Sequence, residues 1–440
     1  MTETYPDPQE IHVIRTKEEP PPSPAQEDAT SLSLIRKLPQ SLPNGLSLPP
    51  RYRTLLSYFS GDILASLSCH PSIHDDLCRG LIPVALDSPH LLSACLALSA
   101  AGFQSRGVNF VDGINVSRVL GHLQSSGLSL LRSALGNGQM NETMLATCLI
   151  WCLADVFACK PGTSSWRVHL QGIKALIEGN QGFRSFGSGA GQVRMAMRHL
   201  HQLYLSLQTL PYVPSVDVPE EIATNTRSVV DMPVLQPSID GFLGYSEELL
   251  HILQQINQIS GLIDINESLS VSKADFLLGK VKGMIRRDST APPSISISAS
   301  LSSEHDREFS LCHKTFQQAT LIHLYRKLYR MPSGSVWIQA AIDEIEGMLN
   351  EMTQGEPCHT WVAMAMPLFT IGCEAYTAKR RSFVLDKVDK LDACLGSLHV
   401  RIIRQALQDI WQARDALGDE HGELCASPLL GKRILFEMCI

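Results

Sequence analysis

Apolar residues recur three and four positions apart in one segment after another, and that period calls for amphipathic helices. Ser88 followed by Pro89 offers a capping residue with proline in the first helical position, and Leu91, Leu92, Cys95, Leu96 and Leu98 then share a broad face that should end near Gly102. A second stripe holds Val116, Val119, Leu120, Leu123, Leu128, Leu131 and Leu135, and Gly136-Asn137-Gly138 stops it. A third runs from Asn141 through Leu145, Leu149, Cys152 and Val156 to Pro161-Gly162. Trp166, Leu170, Ile173 and Ile177 form a fourth after Ser164-Ser165. Further helices are expected at 193–207, 247–263, 309–329, 336–352, 361–378, 384–395 and 401–414. No stretch of alternating β-branched residues competes, and no fixed-period repeat appears. The expectation is an all-α, irregular multi-helix domain rather than a solenoid.

Composition sets the outer limits of that domain. Hydrophobic residues make up 44% of the 440 and charged residues 18%, which supports a packed core. Residues 1–50 hold ten of the 25 prolines beside Glu18, Glu19, Glu27 and Asp28, so they are expected to be a disordered acidic arm. Residues 289–303, where Ala291-Pro292-Pro293 leads into alternating Ser and Ile, are expected to be a Ser-rich flexible linker, with a short strand through Ile295 and Ile297 as the other option. They divide the helical region into a first half, 51–288, and a second half, 304–440. The start of the chain lacks a basic segment followed by an apolar one, and the longest apolar run, 144–159, is interrupted by Thr147 and Asp155. An intracellular, soluble chain with reduced cysteines is the expectation. The net charge of −7 disfavours unaided DNA binding, since duplex affinity draws on Lys and Arg displacing counterions.

Several groups of residues invite a chemical reading. Cys69, His70, His74, Asp75, Asp76 and Cys78 form the densest set of potential metal ligands; His74 and Cys78 would share a helical face, but no paired Cys-x-x-Cys knuckle is present. Asp75-Asp76 begins like the magnesium motif of helical terpene cyclases, yet Arg79 stands where a further carboxylate is needed. Asn266 and Ser270 begin like the second cyclase motif, and Ala274 occupies its acidic position. Cys148 and Cys152, one turn apart among aliphatic neighbours, read as core. Lys379-Arg380-Arg381 is too short for an import signal and reads as a solvated helix face. There is no P-loop, no Gly-x-Ser-x-Gly elbow and no His-Glu-x-x-His helix. No catalytic residue, cofactor or metal site is expected.

Two ordered sets of segments resemble the fungal-specific transcription factor domain found downstream of six-cysteine binuclear zinc clusters. The first is Ser88-Pro-His-Leu-Leu-Ser-Ala-Cys-Leu-Ala-Leu-Ser-Ala-Ala, followed by Trp166-Arg-Val-His-Leu-Gln-Gly-Ile-Lys-Ala-Leu-Ile. The second is Ala319-Thr-Leu-Ile-His-Leu-Tyr-Arg, then Met366-Pro-Leu-Phe-Thr-Ile-Gly-Cys-Glu-Ala, the Arg380-Arg381 pair and Trp411-Gln-Ala-Arg-Asp. Together they span roughly residues 50–420. In the Trp166 helix, Gly172 is expected to let a neighbouring helix approach closely, and Pro367 is expected to start a buried helix with Trp361 on the preceding segment filling the space beside it. Residues 1–68 contain no cysteine, so this sequence is expected to carry no zinc cluster of the kind such regulators use to read DNA, either because the regulator lacks its own reader or because the chain is a shortened gene product. The resemblance implies a nuclear transcriptional regulator of a metabolic or secondary-metabolite gene set. Its expected partners are proteins, either a zinc-cluster transcription factor or a second copy, with no direct specific DNA binding and no membrane. A helical biosynthetic enzyme and a cytosolic helical scaffold are the alternatives.

Overall fold

The computed structural model describes residues 48–137, 141–158, 165–207, 237–260, 267–419 and 422–426. All of the expected arm except residues 48–50 lies outside them, and Pro50 already opens the first helix, α1 (Pro50–Tyr58). A π turn over Phe59–Ile63 leads into the short α2 (Leu64–Ser66). His70 then caps α3 (Pro71–Asp87), accepting the Ser72 N–H on Nδ1 at 3.1 Å. The sequence period gave α3 no stripe of its own, yet Ile73, Leu77, Leu81 and Ala85 line its buried side at four-residue steps.

Ser88 occupies the N-cap of α4 (Pro89–Ser105) in extended backbone, as expected, but its hydroxyl meets His90 Nε2 at 3.1 Å and makes no bond to the helix end. The helix runs a turn beyond Gly102 and is buried on every side from Leu91 to Gly102. A hairpin of β1 (Phe110–Val111) and β2 (Ile114–Asn115) turns on Asp112 and Gly113, both at positive φ, the backbone that a two-residue hairpin turn demands. Asn115 then caps α5 (Val116–Gly136), its Oδ1 accepting the Ser117 and Arg118 amides at 2.9 and 3.3 Å. Next come α6 (Glu142–Ala158), with Asn141 capping through the Met144 amide, α7 (Ser165–Gly179) and α8 (Gly191–Leu207).

In this first half α4 lies between α5 and α6, and the seam closes on Gly127. A Cβ there would stand 2.7 Å from Trp151 Cζ2 and 2.8 Å from Ser93 Cβ. Gly127 therefore takes the close-approach role expected of Gly172, which has open space around it on the exposed side of α7. The buried stripe of α7 runs through Trp166 and Ile173, so its neighbour at 172 is turned away from the core. Leu128 and Leu135, counted into the α5 stripe, are likewise 40% and 37% exposed, because Gly127 and Leu131 hold the seam in their place.

The described helices fall into a first half before residue 208 and a second half from 237, which takes in the end of the expected first half (51–288) and begins with β3 (Ser238–Asp240), followed by α9 (Glu247–Ser260) and α10 (Glu267–Thr290). In the stretch expected as a flexible linker, β4 (Ser294–Ser296) pairs in parallel with β3, placing Ile295 opposite Ile239. The alternating Ser and Ile of that stretch follow the two-residue period of a strand, and the Gly241 N–H extends the ladder to the Ser296 carbonyl at 3.2 Å. Beyond it lie α11 (Ser303–His323), prolonged by a π turn over Leu324–Leu328, and α12 (Val336–Glu351). The single helix expected at 361–378 is instead a 3-10 turn, Thr360–Ala363, then α13 (Ala365–Cys373). Thr377 caps α14 (Ala378–Leu395), accepting the Arg380 amide at 3.3 Å, so that helix starts before the expected 384. The last is α15 (Leu398–Leu417).

The two halves share one hydrophobic core. At its edge Ser105 Oγ of α4 donates to the Gly396 carbonyl between α14 and α15 at 2.5 Å. Only four short strands accompany this helical framework among the described residues, and the chain is all-α in class.

Candidate functional site

The densest set of potential metal ligands is divided by the fold. Cys69 is buried and donates to the Phe242 carbonyl at 3.1 Å, and burial pushes its thiol far above the ordinary value. The His70 ring, engaged in capping α3, meets His305 of α11 edge-on at 4.6 Å between centroids. Burial, with His305 and His359 adding to it, holds His70 below the usual imidazole range. His74 and Cys78 do share a face of α3, but both turn to the Ser60 carbonyl, which accepts from His74 Nε2 at 2.6 Å. Among the described residues no group of three or more His, Cys, Asp or Glu side chains is arranged to hold a metal.

Asp75 and Asp76 likewise point to different neighbours. Asp75 pairs with Arg79 at 3.6 Å on the surface, while Asp76 lies 3.6 Å from His199 of α8 and accepts from Ser298 Oγ at 3.2 Å. Asp76 alone braces α3 against α8 and against the segment just after β4. Asn266 lies outside the described residues, and Ala274 is packed in the core. Cys148 and Cys152 are core side chains of α6; burial pushes the Cys148 thiol up to about 11, which removes the thiolate that a nucleophile needs at neutral pH.

The residues of the family-like segments sit mostly inside. Trp166 is 2% exposed and Trp361 fully buried, and His169 of α7 lies 3.3 Å from Asp155 of α6. The Lys379-Arg380-Arg381 run is not the solvated face that its composition implied. Arg380 reaches Glu346 and Asp343 of α12, and Arg381 holds Asp415 of α15 through two bonds of 2.7 Å. Only Lys379 of the three remains exposed and without such a carboxylate. Both guanidiniums are thus paired with carboxylates of neighbouring helices.

Two buried polar groups escaped the sequence analysis, because their members are far apart along the chain. In the first, Asp288 at the end of α10 accepts from His313 Nε2 at 3.1 Å, Gln317 Nε2 at 2.7 Å and Arg287 Nε at 2.9 Å. On its other side His313 Nδ1 lies 3.4 Å from the Ser246 amide, which donates to it. Burial pushes the Asp288 carboxyl up, but the bonds from His313 and Arg287 outweigh it and hold it below the ordinary carboxylate value. In the second, Arg326 donates to Glu374 Oε1 at 3.0 Å and to the Leu424 carbonyl at 2.8 Å, and Arg414 reaches the same carbonyl at 3.2 Å. The two arginines thus fasten the segment after α15 onto α11, α13 and α15.

Between α8 and α9 lies an open cleft of about 1010 Å³, with Arg194 and Arg198 one turn apart on one wall and His251 on the other. Gln202 donates to Glu247 across its floor. Burial holds His201 below the usual imidazole value, with Glu247 acting in the opposite sense.

The described residues form interlocking helices with buried polar ties between them. A family model for the fungal specific transcription factor domain matches residues 54–428, and the chain belongs to that family. No curated protein and no solved structure matches it.

Proposed function

We propose that this chain is a transcriptional regulator that acts in the nucleus through protein partners rather than as an enzyme. The family match over residues 54–428 carries this reading. The net charge of −7 and the occupation of Arg380 and Arg381 by internal carboxylates support a protein that reaches promoters indirectly, since base reading needs free donors on a positively charged face. A zinc-cluster factor is the proposed partner, and a metabolic or secondary-metabolite gene set the proposed target. Promoter occupancy measured by crosslinking, in cells with and without a candidate zinc-cluster factor, tests this. Occupancy should require the factor. A salt-sensitive, sequence-specific complex of the isolated chain with promoter DNA at nanomolar concentration would overturn it.

A further inference from the structure

The outer side of α10 is built as a trough. At about 100° per residue, Gly279 and Gly283 fall on one line of the helix surface, with Phe276 and Lys280 to one side and Lys282 to the other. Both glycines are exposed, and nothing lies within 4 Å of where a Cβ would stand on either. On one flank Lys280 Nζ sits 4.7 Å from the centre of the Phe276 ring. On the other, Lys282 Nζ sits 5.3 Å from the centre of the Trp337 indole, which the first turn of α12 brings alongside. Phe276 is 59% exposed, Trp337 61% and its neighbour Val336 79%. The other four tryptophans are all at most 5% exposed, so this one stands apart within its own chain.

Grouped exposed apolar side chains mark interaction sites more than single ones do, and Trp is enriched among residues that dominate binding energy. A glycine floor lets a second backbone come close enough for its side chains to reach both rings. The charge of the trough selects the visitor. Lys280, Lys282 and Arg286 line it and outnumber the nearby carboxylate of Asp275, which accepts from the Tyr329 hydroxyl at 2.6 Å. Two copies of α10 laid against each other would bring these cations together. The geometry points to an acidic amphipathic helix of a protein partner, seated along Gly279 and Gly283 with its apolar side between Phe276 and Trp337 and its carboxylates on the flanking lysines.

This assignment deepens the regulatory reading and rests on it only for the kind of protein that supplies the helix. The experiment uses the full chain and, as probe, a designed peptide of about 20 residues with Glu on one side and Leu on the other. Trp337 dominates what acrylamide can reach, so docking should protect the tryptophan emission from quenching, and binding should weaken as salt is raised. Gly283→Leu, which fills open space, and Trp337→Ser should each weaken binding roughly tenfold or more without lowering the unfolding midpoint. Lys282→Glu should do the same and abolish the salt dependence. Absence of binding by the designed helix, or equal binding by these variants, overturns the proposal. So does a concentration-dependent dimer that Trp337→Ser dissolves, which would make the occupant a second copy. A peptide of residues 1–47, with seven acids against four bases, is the remaining arm. If it protects Trp337 and the designed helix does not, the trough serves the chain's own N-terminal segment. None of these outcomes depends on promoter occupancy, so the surface and the regulatory reading fail separately.

Discussion

The two halves of the molecule are held together by different physics. Around α4 and α6 the interior is mostly Ala, Leu, Cys and Ser, and among the described residues before 240 the buried polar side chains are hydroxyls, two imidazoles and one amide. From Asp240 onward the interior also takes in Asp288, Glu308, Arg326, Glu374, Lys387 and Arg414. The first half therefore depends on shape, the second on shape and on the completeness of its hydrogen bonds. Shape errors cost a cavity or an overlap, whereas removing one partner of a buried ion pair strands the other without water.

The sharpest test of that difference is a matched pair of large deletions. Trp166→Ala and Arg326→Ala should each cost about 3–5 kcal/mol, the first by leaving a hole and the second by leaving Glu374 unpaired. Urea unfolding separates the causes, because adding Glu374→Leu should restore part of the loss in the Arg326 variant. If the double variant is no better than the single one, the contrast between the halves is wrong. Gly127→Ala comes next. The added methyl meets the fixed Trp151 ring and Ser93, for about 1–3 kcal/mol of overpacking against a gain of roughly 1 kcal/mol in helix propensity. Its net loss should be the same at pH 5 and pH 7, since no titrating group touches the seam.

A pH titration probes the second half directly. The Asp288 carboxyl is held below its unfolded value of about 3.9, so its contribution is complete above that pH and disappears as pH falls through the lower folded value. Below about pH 4 the wild type should therefore lose stability more steeply than Asp288→Asn, measured by thermal unfolding in buffers of equal ionic strength. Parallel curves would remove this network from the comparison. The smallest effect is expected for Asn115→Ala, which deletes an exposed helix cap and should cost about 1 kcal/mol in the first half, independent of pH across the same range.

How much of this was legible in the sequence follows the same division. Helices α4 through α8 were visible because dense apolar stripes at three-and-four spacing carry them. α10 was passed over: its buried Ala274, Leu277, Val281 and Met284 alternate with Lys, Gly and Asp, which dilute the stripe. Periodicity also cannot say which glycine faces a neighbour, so Gly172 was chosen where Gly127 fits. The polar groups were out of reach altogether. Arg380 finds Asp343 and Arg381 finds Asp415 across 37 and 34 residues, and only the packed helices bring them together. The exposed side of α10 was hidden for a similar reason, since Trp337 comes from another helix.

The bond between Ser105 and Gly396 has a consequence in time. Its partners are 291 residues apart, and at roughly 5–20 residues per second a ribosome needs on the order of 15–60 s to travel from one to the other. Throughout that interval the C-terminal end of α4, nearly all of whose length is destined for the interior, waits for the residues that will cover it. The nascent first half is therefore a client for whatever shields apolar surface during synthesis, and slow translation of the last two helices prolongs that need.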